Sequence, residues 1–165
     1  MAAMVTATTL HSGPVSVVDF RCAAGPGDPA FPEHHEAFSI SYVRHGTFGY
    51  RVRGRQYEMV AGAVLIGFPG DEFLCTHDHA CGDECLSFRL APEVADTVGS
   101  SDTVWKRGAL PPLAEIMVLG ELAQAAATGA SGVGLDEVGM VLAMRLAALV
   151  GGRSQQLRRA SSRDR

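Results

Sequence analysis

Three cysteines and two histidines fall within eleven residues, Cys75-Thr-His77-Asp-His79-Ala-Cys81-Gly-Asp-Glu-Cys85. Side chains alternate along an extended chain, so Cys75, His77, His79 and Cys81 share one face if this stretch is a strand. Thiolates and imidazoles on one face make a nitrogen–sulfur site that suits zinc, with Zn–S near ~2.3 Å and Zn–N near ~2.0 Å. Gly82-Asp83 turns the chain and brings Cys85 back from the next strand. The expected ligands are Cys75, His77, His79 and Cys85, with Cys81 as the alternate. The spacing is not that of a zinc finger with paired C-x₂₋₄-C and H-x₃₋₅-H ligands. Two readings compete with the metal. A buried cysteine packs as a small hydrophobe. Cys81 and Cys85 are also close enough in sequence to act as a redox pair, if their Cβ atoms meet.

His34-His35-Glu36 is the second polar cluster. Adjacent side chains on a strand point to opposite faces, so at most one histidine looks into a pocket. His35, Tyr42 and Tyr50 are the candidate pocket residues. Arg51 and Arg53 read as a solvated face, and His45 as a turn residue. No catalytic residue is assigned. Gly-x-Ser-x-Gly, Gly-x-Gly-x-x-Gly and the P-loop are all missing from the sequence. No helix–turn–helix signature is visible either.

These residues need a frame. The chain has 165 residues, 47% hydrophobic and 19% charged, which suits one folded domain with a sizeable core. Short alternating runs joined by tight turns cover Phe38–Val43, Thr47–Arg53, Gln56–Val60, Ala63–Ile66, Glu72–Cys75 and Glu84–Leu90, with a weaker run at Val15–Phe20. Gly54-Arg55 has the length of a hairpin turn. Such a series predicts an antiparallel barrel or sandwich. The period then changes. Leu113–Ala127 is rich in Ala and Leu and reads as a helix. Leu135–Val150 is a second, opened by Asp136 and Glu137 and closed by Gly151-Gly152. Val138, Leu142, Leu146 and Leu149 form its apolar stripe.

The net charge of −4 hides a division. Residues 153–165 carry five Arg and one Asp, a net +4, and the preceding nine basic and seventeen acidic residues sum to −8. An acidic body argues against nucleic-acid binding by the folded part. The basic end reads as a linker or disordered tail. No run approaches the ~20 apolar residues that cross a bilayer. Val138–Val150 comes nearest and is broken by Arg145, so no membrane partner is expected. The N-terminus lacks a basic region followed by an apolar stretch, so it is not read as a signal peptide. The expected location is the cytoplasm, where thiols stay reduced.

His35-Glu-Ala-Phe-Ser-Ile-Ser-Tyr-Val-Arg-His-Gly46, Phe48-x-Tyr50, Gly62-Ala-Val-Leu-Ile66 and Pro69-Gly70 together resemble the N-terminal cupin domain of AraC-type transcriptional regulators. The stretch C-x-H-x-H…G-D-x-C-L-x-F from Cys75 to Phe88 resembles one branch of that family. The resemblance implies a mostly β fold with α: a cupin-like antiparallel β-barrel followed by a C-terminal pair of helices. It divides the chain into an N-terminal arm and first strand (1–33), a cupin-like core (34–91), a helical dimerisation segment (92–152) and a basic tail (153–165). It implies a domain that senses a small-molecule or metal effector and forms a homodimer through its helices. DNA would be reached only through a helix–turn–helix domain absent from this chain. Enzymatic cupins hold a metal with three His and a carboxylate. His35 and Glu36 match that set only in part, and Phe73–Cys75 stands where another His is expected. A small metal-dependent cupin enzyme is the alternative.

Overall fold

The computed structural model describes residues 4–99 and 102–163. The chain opens with a hairpin, β1 (Val5–His11) and β2 (Val15–Cys22), followed by the two-residue β3 (Glu33–His34). The central strands are β4 (Phe38–Gly46), β5 (Phe48–Val52), β6 (Arg55–Met59), β7 (Val64–Gly67), β8 (Glu72–Thr76) and β9 (Asp83–Leu90). Helices α1 (Pro92–Val98) and α2 (Asp102–Trp105) precede β10 (Ala109–Leu110), and α3 (Ala114–Ala127) and α4 (Leu135–Arg163) complete the chain. Two antiparallel sheets result, one in the order β1-β2-β9-β4-β7-β10 and the other β3-β8-β5-β6.

The alternation in β4 and β9 explains why the larger sheet has two different faces. Ile40 and Tyr42 of β4 and Leu86, Phe88 and Leu90 of β9 pack with Ile116, Ala123, Leu142 and Leu146 of the helices. The residues between them point the other way. Ser39, Ser41, Cys85, Ser87 and Arg89 face the space between the sheets. Val43 and Cys85 join Phe48, Tyr50, Val52 and Met59 in a second, inner core. One sheet thus carries a greasy outer face under the helices and a polar inner face.

Gly120 lets α3 approach this sheet. A Cβ there would overlap the Tyr42 ring, whose hydroxyl donates to Glu121 Oε1 at 3.0 Å. Arg145 of α4 pairs with Glu115 of α3 across the two helices.

Five expectations need correction. The first strand expected at Val15–Phe20 is β2, hydrogen-bonded to β9 along its whole length, but the segment before it is a second strand rather than an arm. That strand, β1, is almost wholly exposed, so it carries no apolar alternation to mark it; β-branched Val5, Thr6, Thr8 and Thr9 are its only signal. The segment 92–152 is not helical throughout, since β10 pairs with β7 in the larger sheet. The β5–β6 turn is Arg53-Gly54, both at positive φ (50° and 71°), with Val52 opposite Arg55. Arg53 is not simply solvated: its guanidinium grips both oxygens of Asp71, with Nη2 2.7 Å from Oδ1. Finally, Gly151-Gly152 does not end α4, and residues 153–163 are helical rather than a loose tail. Each interior glycine costs about 1 kcal/mol relative to Ala, but the Gln, Leu, Arg and Ala that follow are good helix formers.

Candidate functional site: a polar cavity between the sheets

The inner faces of the sheets enclose a cavity of about 280 Å³. Its first wall is the polar stripe of β4 and β9. Ser41 Oγ donates to Ser87 Oγ at 2.9 Å. Arg89, one step along β9, lies over the Phe20 ring at 5.4 Å and reaches the exposed Glu36 carboxylate only at 3.7 Å. The guanidinium is thus held in direction without being consumed by a close ion pair.

The second wall is aromatic. His35 stacks on Phe73 with ring centroids 4.3 Å apart, and its Nε2 lies 2.7 Å from the Tyr50 hydroxyl. Burial lowers the His35 pKa to about 4, with Asp71 opposing and Arg89 reinforcing the shift. The ring is therefore neutral at pH 7, and a neutral imidazole can accept the Tyr50 O–H. Burial likewise pushes the Glu33 carboxyl up.

The third wall carries sulfur and carboxylate. Cys22 is the last residue of β2 and Asp83 the first of β9, and they sit opposite each other in the ladder. His77 follows β8 directly, its ring stacked on Phe48 at 5.9 Å and its Nε2 2.6 Å from Asp83 Oδ2. Gly82 (φ +78°) makes the turn that delivers Asp83, and its amide is tied to the Ala24 carbonyl at 2.9 Å. One donor atom each from Cys22, His77 and Asp83 lies within 4.8 Å of the other two.

The sequence-derived residues are scattered relative to these walls. Cys75, His77 and Cys85 line the cavity, but His79 and Cys81 are exposed. The segment leaves the sheet after Thr76, so the alternation that would align four ligands ends there. Burial pushes the Cys75 and Cys85 thiols well up; Glu33, then Asp83, add to this at Cys75, and Asp83, then Cys75, at Cys85. All four cysteines are free thiols. His35 lines the cavity while His34 faces outward, 3.7 Å from Glu72. Tyr50 is fully buried in the inner core behind His35. Tyr42 is not a pocket residue, because it stands on the helix-covered face with Ile40. Sequence reasoning missed Cys22, Asp83, Arg89 and the Ser41–Ser87 pair. Asp83 read as a turn residue, and Cys22 lies far away in sequence from the partner that the ladder gives it.

A family model described as the AraC-like ligand-binding domain matches residues 19–127. The chain belongs to that family. No curated protein matches its sequence. Solved structures similar to this AraC-like domain include a protein of unknown function from Rhizobium leguminosarum bv. viciae 3841 (16% identity, 53% of this chain and 82% of that chain, TM-score 0.47). A cupin 2 conserved barrel domain protein from Salinispora arenicola CNS-205 is 15% identical over 56% of this chain and 81% of that chain, with a TM-score of 0.45. The cupin 2 domain of an XRE family transcriptional regulator from Enterobacter cloacae is 14% identical over 55% of this chain and 99% of that chain, also with a TM-score of 0.45.

Among its described residues, the AraC-like domain does not bring together the donor set that enzymatic cupins use. The candidates around His35 do not converge on it: His34 is at the surface, the Glu36 side chain is 81% exposed, and Phe73 covers the imidazole face. The space between the sheets does not fit a three-His, one-carboxylate metal.

Proposed function

We propose that the chain is the effector-sensing and dimerisation part of an AraC-type transcriptional regulator. The observation that carries this is the cavity itself. It presents a loosely paired guanidinium, two bonded hydroxyls and a neutral imidazole over apolar walls, an arrangement suited to binding. Arg89 is a fixed planar donor for a carboxylate. A small organic acid is therefore the ligand class we assign, its carboxylate on Arg89 and its hydrogen-bonding groups toward Ser41 and Ser87. DNA contact belongs, in this reading, to a separate helix–turn–helix domain, consistent with the −8 charge of residues 1–152. Among the described residues no helix is long and apolar enough to cross a membrane. We place the protein's work in the cytoplasm, where free thiols persist.

Thermal unfolding against a panel of small carboxylic acids and their neutral amides tests the reading. An acid at about 100 times its Kd stabilises by ~2.7 kcal/mol, a rise of roughly 5–10 °C for a domain of this size. Arg89→Met removes that rise while leaving the unliganded Tm nearly unchanged. If no acid shifts the Tm, or Arg89→Met shifts equally, the assignment is wrong.

The dimer rests on the outer helix faces. Val118 and Leu122 lie one turn apart on α3, and Val141 and Met144 three residues apart on α4; Val118 is 69% and Met144 59% exposed. Burying such side chains is worth about 1.5–3 kcal/mol each, which favours pairing these faces with a second copy. Val118→Glu combined with Met144→Glu is expected to convert the dimer to monomer at micromolar concentration. Sedimentation velocity reads this directly, and a wild-type monomer would sink the idea.

A further inference from the structure

We propose that Cys22, His77 and Asp83 form a zinc site at the end of the cavity where β2, β8 and β9 meet. This site is independent of the effector chemistry assigned to Arg89 and stands or falls separately from it.

The donor chemistry is complete for such an ion. A thiolate and a carboxylate offset its double charge, and a neutral imidazole supplies the third ligand. Binding replaces the Cys22 S–H proton, which leaves to solvent, and opens the His77–Asp83 hydrogen bond; no oxidation state changes. Ligand atoms around a tetrahedral zinc stand roughly 3.3–3.8 Å apart. The present 2.6 Å between His77 Nε2 and Asp83 Oδ2 is shorter than that range, and the three donor atoms all lie within 4.8 Å of one another, so shifts on the order of 1 Å close the site.

The surroundings hold these donors in place. The Cys22 and Asp83 backbones are locked opposite each other in the ladder. Cys22 Sγ accepts the Ala24 N–H at 3.4 Å, and Cys85 Sγ lies 3.8 Å from the other Asp83 oxygen. Phe48 orients the His77 ring, whose side chain is only 6% exposed. Contacts of this kind behind the ligands fix their orientation and tune the metal they hold. All three donors line the cavity, so the fourth coordination position faces it and takes water. The set differs from the one the Cys75–Cys85 spacing predicts: only His77 is shared, Cys22 and Asp83 enter, and Cys75, Cys85 and the exposed His79 and Cys81 drop out.

The test is metal content of the purified chain by mass spectrometry, with cobalt(II) titration of the metal-free form. One metal per chain is expected, with a thiolate-to-cobalt charge-transfer band and the intense visible bands of tetrahedral cobalt. Cys22→Ser, nearly isosteric, removes the charge-transfer band and weakens zinc binding by about 100-fold or more. His77→Ala weakens it similarly. His79→Ala, Cys81→Ser and Arg89→Met leave it unchanged. Circular dichroism confirms that each variant is folded; should His77→Ala fail to fold, Cys22→Ser carries the decision. The proposal is overturned if the wild-type chain takes up no zinc at micromolar concentration. It is equally overturned if the cobalt spectrum survives Cys22→Ser or is lost in His79→Ala.

Discussion

Replacing Gly120 by Ala is expected to destabilise the protein by about 2 kcal/mol, against the direction that helix propensity alone predicts. In a solvent-exposed helix the change would gain ~1 kcal/mol, since Gly is among the poorest helix formers. Here the new methyl overlaps the ring of Tyr42, which is 1% exposed and anchored to Glu121. Overpacking of this kind costs roughly 3 kcal/mol, because the ring must leave a close-packed seat or α3 must lift from the sheet. The net loss corresponds to a fall of roughly 4–8 °C in Tm. A double-mutant cycle isolates the cause. In a Tyr42→Leu background the overlap is relieved, so Gly120→Ala becomes neutral or stabilising, a coupling of about 2 kcal/mol or more. Equal effects of Gly120→Ala in both backgrounds would show that the ring is not what excludes a side chain there.

Acidification is expected to weaken the fold through His35. Its pKa is about 4 in the folded chain, against 6.5 for a free imidazole. The unfolded state therefore binds the proton more readily between those values. Stability from this group is fully present above about pH 6.5 and is lost as the pH falls toward 4, by an amount on the order of 2–3 kcal/mol. Protonation would also reverse the contact with Tyr50, Nε2–H donating to the hydroxyl oxygen, and leave the Tyr50 O–H proton without its acceptor inside the buried core. Urea midpoints at pH 7, 5.5 and 4 measure the loss. His35→Gln keeps a hydrogen-bonding group and cannot titrate, so its midpoint should fall less. Carboxylates titrate in the same window in both proteins, so the difference between the curves is the readout. Parallel curves would mean that His35 is not the titrating group.

Much of the β framework was legible because half-buried strands write their burial into the sequence. Phe38–Val43 and Glu84–Leu90 alternate since one face meets the helices and the other meets the cavity. What that pattern cannot convey is which face is which. Tyr42 looks like a pocket residue by type, yet the apolar set it belongs to lies under α3. The small side chains between, Ser39, Ser41 and Ser87, are the cavity wall. The strand β1 left little trace because it buries almost nothing. The chemical cluster at Cys75–Cys85 was visible as composition, but its geometry depends on a ladder. Cys22 meets Asp83 only because β2 and β9 are in register, and no local spacing encodes that. The exposed positions of His79 and Cys81 follow from the strand ending at Thr76, a boundary the alternation of residue types does not mark.

The unbroken course of α4 has a mechanical consequence. Its 29 residues span about 43 Å, and Val150, near the middle of its course, belongs to the buried core. The same helix continues for some 20 Å beyond Val150. A coil of the same residues would decouple its two ends; a helix transmits angle and rotation along its axis. Gly151-Gly152 is a soft point in that stretch, directly after Val150. Tilts of α4 against β2 and α3 are carried along this axis toward Arg163, and the glycine pair sets how much of each tilt is passed on.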